Sequence, residues 1–170
     1  MNKLMTTSIV AILLAAPGVV LAADVSASDT SFLKKAAQSG LFEVQGGNLA
    51  LKKSRNTEVQ KFAKQMVEDH TKAGQALKTL AQSKNVELPT EPNFMHKGSL
   101  MLLDTYDAKS FDESYAENVG VEAHEKTIEL YEKAVESSKD ADIKQFASKS
   151  LPTIKHHYEM AKKLDKMVDD

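Results

Sequence analysis

Glu43, His70, His124 and His157 are the residues of this 170-residue chain whose types and spacing can do chemistry together. Each falls on the apolar stripe of a different amphipathic segment, near its middle. Imidazole and carboxylate groups are costly to bury unless they are hydrogen-bonded, paired or bound to a metal. Three imidazoles and one carboxylate suit a single first-row transition ion (Zn, Fe, Mn or Cu) better than Ca or Mg, which prefer oxygen ligands. Met66 lies one turn before His70 and Met160 three residues after His157. Thioether ligation there would favour Cu(I), although Met is also a common core filler. Asp69 is a candidate second partner that fixes an imidazole, and Tyr115 is a further candidate beside the site. His156, one position off its stripe, belongs at the edge, and His96, in a connection, belongs at the surface. The competing reading of the four polar residues is a buried network with no metal.

Four long helices are needed to position them. The first follows N-cap candidates Ser28 to Thr30 and carries Phe32, Ala36, Ser39, Glu43, Gly47 and Ala50 on one face. Gly46 and Gly47 weaken it by about 1 kcal/mol each relative to Ala; they either permit close packing or mark a break. Asn56 or Thr57 caps the second, whose stripe Val59, Phe62, Ala63, Met66, His70, Ala73, Leu77 and Leu80 has a clean 3.6-residue period. A connection runs from Val86 to about Lys109, with a short helical piece around Met95 to Tyr106. Ser110 and Glu113 read as a capping box for the third long helix, which presents Phe111, Tyr115, Val121, His124, Ile128, Tyr131 and Val135. Asp140 or Asp142 caps the fourth, with Ile143, Phe146, Ala147, Ile154, His157, Ala161, Leu164 and Val168 inward. Pro152 lies inside it and is expected to kink it. The fold class is all-α, a four-helix bundle with a short helical segment between the second and third long helices. Such helices run about 38 Å for roughly 25 residues, and each polar residue sits within about one turn of its helix's midpoint, so a bundle brings all four to one height. Helix order stays open.

The first residues read as a signal peptide (1–22): Lys3 supplies charge, Ile9 to Leu14 and Val19 to Leu21 an apolar core, and Ala22 a cleavage site. That segment, broken by Pro17 and Gly18, is too short for a good membrane span. Residues 23–29 read as a flexible leader and 30–170 as the bundle. Cys is absent, which excludes disulfides, thiolate ligands and a lipid-modified Cys. The expected location is therefore the periplasm, with no membrane insertion after cleavage. Removing Lys3 with the signal takes the formal charge from −2 to −3, and the charges are interspersed. Nothing here points to a nucleic-acid partner. No phosphate loop or nucleophile elbow is present, so the residues do not decide whether the chain is an enzyme, nor which protein partner or oligomeric state it has.

The segments Leu41-Phe42-Glu43-Val44, Phe62 to His70, Phe111 to Tyr115 and Leu151 to His157 resemble the exported bacterial family called domain of unknown function 4142, over about Thr30 to Leu164. The resemblance implies a ferritin-like bundle and brings no settled activity. The outer-membrane label often given to the family does not suit a chain with no barrel strands and no lipidation Cys. Di-iron members of the ferritin-like class use paired Glu-x-x-His motifs. Here the positions three before His70, His124 and His157 are Val67, Val121 and Ile154, which favours a His-rich mononuclear site. The alternative function is a metal-free envelope binding or stress-protective module whose polar core residues fix helix register.

Overall fold

A computed structural model describes residues 25–169, and among these it contains helices and no strand. The expected signal peptide lies outside the described residues. Helix α1 (Ala27–Lys53) takes in the last residues of the expected leader. The Ser26 hydroxyl accepts from the Asp29 amide at 3.0 Å and donates to the Asp29 carboxylate at 2.9 Å. The small polar residues that read as a leader are thus partly a helix cap. Helix α2 (Thr57–Ser83) is capped by Asn56. Helix α3 (Phe94–Thr105) forms the helical part of the connection.

The third long rod is built from α4 (Ala108–Ser114), a π-helical segment (Tyr115–Glu122) and α5 (Ala123–Ser137). Its cap is Asp107, whose carboxylate accepts from the Ser110 amide at 3.0 Å, so the expected Ser110–Glu113 capping box does not form. A carboxylate has the advantage there because it also meets the positive end of the helix dipole. Glu113 instead stands 3.5 Å from Lys109. Helix α6 (Ala141–Val168), capped by Asp140, remains helical through Pro152. Proline denies the Ser148 carbonyl its amide partner, but both residues are exposed and solvent can replace it.

Two clusters of end contacts define the chain path. Lys53, closing α1, meets Asp104 of α3 and lies over the Phe111 ring of α4. Lys84, closing α2, bonds Asp140 at 2.7 Å and Asp142 at 2.6 Å, at the start of α6. The connection therefore carries the chain the full length of the bundle, and α2 and the third rod run the same way. Helix α1 packs on α2 and α5, and α6 closes the ring against the other two. This ordering, open at the level of sequence, is a ferritin-like four-helix bundle with a crossing helix.

The apolar core is divided. One cluster gathers Val59, Phe62, Met66, Phe111, Tyr115 and Leu164 near the end where α1 meets α2. The other gathers Phe32, Leu33, Leu77, Tyr131, Ile143 and Ile154 near the opposite end. Glu43, His70, His124, Thr127 and His157 are the buried polar residues between them.

Helices α1 and α2 approach closely beside this layer, which decides the open question about Gly46 and Gly47. A Cβ on Gly47 would lie 2.8 Å from Val67 Cγ2 and 3.1 Å from the Ala63 carbonyl oxygen, and one on Gly46 would lie 2.8 Å from Val119 Cγ1. The pair permits packing and does not break the helix. Gly40, on the same helix, has open space around it. Gly47→Ala should therefore cost roughly 1–3 kcal/mol by overpacking, while Gly40→Ala should stabilise by about 1 kcal/mol through helix propensity. Urea unfolding of the two variants checks this; equal effects would refute the close-packing role.

Candidate metal centre

Three helices deliver one imidazole each to the layer between the two apolar clusters. His70 comes from α2, His124 from the first turn of α5 and His157 from α6, at 8%, 0% and 2% exposure. Their ring centroids form a nearly equilateral triangle with sides of 5.4, 5.2 and 5.6 Å. One ring nitrogen of each lies within 4.8 Å of the other two. Three buried imidazoles so placed can hold a metal ion, whose identity the geometry leaves open.

Each ring is held on one side and free on the other. His124 Nδ1 lies 2.7 Å from the Gly120 carbonyl oxygen. His157 Nε2 lies 2.9 Å from Asp69 Oδ2. His70 Nδ1 lies 2.9 Å from Glu43 Oε2, an ion-pair contact angled off an aligned hydrogen bond. A carbonyl or carboxylate oxygen can only accept, so in each case the contacted nitrogen carries the proton. The opposite nitrogens, His70 Nε2, His124 Nε2 and His157 Nδ1, are buried without a hydrogen-bond partner. Buried polar atoms are nearly always satisfied in proteins, so three orphans in one triangle demand an explanation.

Electrostatics favour the neutral, ligating form at His124 and His157, and the charged form at Glu43 and His70. Burial pushes the Glu43 carboxyl up, but His70 above all, then His124 and His157, outweigh it and hold the group at about 2. Burial pushes His70 down, and the adjacent Glu43 more than reverses it, so its pKa is raised. His124 is lowered by burial, with His70 adding to the effect. His157 is lowered to about 4 by burial and by its imidazole neighbours, against the pull of Asp69. His124 and His157 are thus neutral near pH 7, each with a lone pair on its free nitrogen.

The other expected residues take different places. Glu43 is 1% exposed and stays outside the group of clustered ring nitrogens, reaching His70 on one side and, at 3.4 Å, the Thr127 hydroxyl on the other. Asp69 meets His157 and receives a 2.6 Å bond from Gln65. Met66 and Met160 pack with the apolar cluster on the α1–α2 turn side. Tyr115 is fully buried with an unpartnered hydroxyl, its ring stacked on Phe111 at 6.0 Å, and burial raises its pKa. His156 is exposed, as its position off the stripe implies. His96, expected at the surface, is instead half-buried and stacked on Phe42 at 4.4 Å, because α3 leans on α1.

Two contributors escaped the sequence reading. Thr127 lies three residues beyond His124, hence on the same helix face, and that spacing was an available signal. Gly120 acts through its carbonyl, inside a π segment that no residue pattern announces. In that segment amides reach five residues back, as Ala123 does to Asn118. Wide turns of this kind recur at functional sites. Gly120 also admits α6, since a Cβ there would lie 3.2 Å from Ala161 Cβ.

A cavity of about 420 Å³ reaches from the surface to Glu43, His70 and His157, passing Lys72, Ala73 and Ala76 of α2 and Phe146, Lys149 and Thr153 of α6. His124 lies behind it. No described helix is long and apolar enough to cross a membrane.

Comparison with known proteins identifies the fold and leaves the chemistry open. The crystal structure of a DUF305 fragment from Deinococcus radiodurans matches with a TM-score of 0.74 over 84% of this chain and 98% of that one, at 8% sequence identity. At that identity the likeness shows a shared helical fold alone. No curated protein matches the chain. The family described as Domain of unknown function (DUF4142) matches residues 15–164, and over that span, which is most of its length, the chain belongs to this family.

Proposed function

We propose that this protein is a periplasmic metal-binding bundle that holds one first-row transition ion on His70 Nε2, His124 Nε2 and His157 Nδ1. The observation that carries the reading is the pattern of the imidazoles: one nitrogen of each beside a carboxylate or carbonyl oxygen, the other buried without a partner, in three rings that cluster in one buried layer. Imidazoles that ligate metals commonly donate their second N–H to a carboxylate or carbonyl, which fixes tautomer and ring orientation. Glu43, Asp69 and the Gly120 carbonyl fill that role here. Glu43, counted among the ligands from sequence, fits better as the group that orients His70. Imidazole nitrogens about 2.0–2.1 Å from a tetrahedral ion stand about 3.3 Å apart, so the observed spacing needs only a modest inward shift. Export rests on the amino-terminal sequence, and the periplasm supplies an environment suited to a chain without Cys.

A metal-free binding module is the alternative. It draws on the exposed Phe94, Met95, Met101 and Leu102 of α3. It leaves the three orphaned nitrogens without a purpose.

Under the metal reading, His70→Ala, His124→Ala and His157→Ala should each weaken Zn or Cu binding by more than about 100-fold, beyond the cost of losing an orienting partner. Glu43→Gln and Asp69→Asn should weaken it by roughly 10–100-fold. Calorimetric titration reads both sets; affinities unchanged in the His variants would defeat the assignment.

The pH dependence has a definite sign. His157, lowered from 6.5 to about 4, stabilises the fold fully above pH 6.5 and loses that contribution as pH falls through about 4. His124 acts in the same direction. Glu43, lowered from 4.5 to about 2, adds a second loss below pH 4.5. His70, raised, opposes the trend, because the folded state keeps its proton. Metal-free protein should therefore lose stability on acidification from pH 6.5 to 4, and bound metal should be released over the same range as protons compete for imidazole. Thermal melts with and without added Zn follow both effects; a melting temperature flat across that range would contradict them.

A further inference from the structure

Helix α3 is apolar on two sides. His96, Leu100 and Leu103 turn towards α1 and the bundle core. Phe94, Met95, Met101 and Leu102 point the other way and are between 56% and 87% exposed. At 3.6 residues per turn these four share one outer face with Gly98. Single exposed apolar residues are ordinary, but a contiguous group of large ones marks an interaction surface.

The order of residues on that face says what fits it. Phe94 and Leu102 stand four residues either side of Gly98, and Met95 and Met101 stand three either side. The apolar pattern is therefore the same read from either end. A second α3, antiparallel and related by a two-fold axis at Gly98, sets the Phe94–Met95 end of each helix against the Met101–Leu102 end of the other. That is the self-complementarity an isologous dimer requires. Gly98, with open space where a Cβ would stand, lets the two backbones come close at the axis. A cleft of about 70 Å³ lined by Ser99, Leu102, Tyr106 and Val119 opens along one flank of α3. Met95 of the antiparallel copy arrives on that flank, within one residue's rise of Leu102.

Polar groups do not oppose the pairing. The Ser99 hydroxyl donates to the Met95 carbonyl at 3.2 Å, and the Thr105 hydroxyl to the Leu102 carbonyl at 2.6 Å. Covering the face leaves neither hydroxyl unsatisfied. Lys97 is paired with Glu91, and Lys53 with Asp104. An interfacial helix needs such lysines free to hold anionic lipid, so the face suits a second copy better than a membrane. We propose that two copies of this chain associate through α3, antiparallel and centred on Gly98. The inference is independent of the metal reading. Pairing the faces takes on the order of 1,000 Å² out of water, at the low end of specific interfaces, which makes the dimer weak and reversible.

Sedimentation velocity of the purified protein over a range of concentrations tests this. It should show a monomer–dimer equilibrium with a dissociation constant of roughly 10–100 µM, and nothing larger than a dimer. Met95→Glu and Leu102→Glu should each weaken it at least about 10-fold. Both positions are exposed, so circular dichroism should show an unchanged fold. The chain has no Cys, so a single introduced thiol reports the register. Gly98→Cys should form a disulfide between copies under mild oxidation. Thr105→Cys, on the same face but about 21 Å from its counterpart across the axis, should not. A monomer at every concentration, assemblies beyond the dimer, dimers indifferent to both Glu variants, or equal crosslinking at the two positions would overturn the inference. Vesicles of anionic phospholipid that capture the wild type but not Phe94→Glu, in a protein that stays monomeric, would assign the face to a membrane and overturn it as well.

Discussion

A layer of imidazoles with unsatisfied nitrogens, held between two apolar clusters, is the constraint on which this bundle depends. Leaving a buried donor or acceptor unsatisfied costs about 1–3 kcal/mol, and three ring nitrogens of the layer are in that condition. The cost is large beside the 5–15 kcal/mol that typically separates folded from unfolded domains. Hydrophobic residues of similar size would fill the layer without it. An ion bound only by the folded form removes the cost and adds stability by mass action, which makes the layer intelligible as a binding device.

The surrounding backbone is shaped to hold that layer. Gly46 and Gly47 let α1 approach the helices beside Glu43, at distances where any Cβ would collide. The π segment ends just before His124 and presents the Gly120 carbonyl to its ring. Asp69 reaches across from α2 to α6, so His157 is oriented by a neighbouring helix. Each imidazole thus takes its angle from a different structural source: a carboxylate on α1, a carboxylate on α2, and a backbone carbonyl of its own rod. Disturbing one need not disturb the others.

Much of this was legible in the sequence because helical periodicity is a strong signal in segments of this length. The stripes placed Phe62, Met66, His70 and Leu77 on one face, and Ile154, His157, Ala161 and Leu164 on another, and those residues are buried. The caps Asn56 and Asp140 were each one of two candidates that the sequence offered, beside Thr57 and Asp142. Periodicity sets the height and face of a residue, but it does not set which atom meets which. The contact of Glu43 with His70 therefore came only from the structure. The π segment was hidden for a related reason: its hydrogen-bond register depends on packing and changes no residue type. His96 was misplaced because α3 lies along α1, a long-range contact that the connection's own residues do not encode. Asp107 prevailed over Ser110 as a cap where two local signals competed and the charged one had the helix dipole in its favour.

The arrangement also separates holding from access. His124 sits in the dry interior, while His70 and His157 border the cavity. An ion bound to the three free nitrogens would be enclosed by the bundle, close to the floor of that cavity. X-ray absorption fine structure of protein loaded with Zn measures this most directly. The account predicts three imidazole nitrogens at about 2.0–2.1 Å with one further light ligand, and loss of one imidazole contribution in His124→Ala. A shell of oxygen atoms alone, unchanged by that substitution, would contradict it.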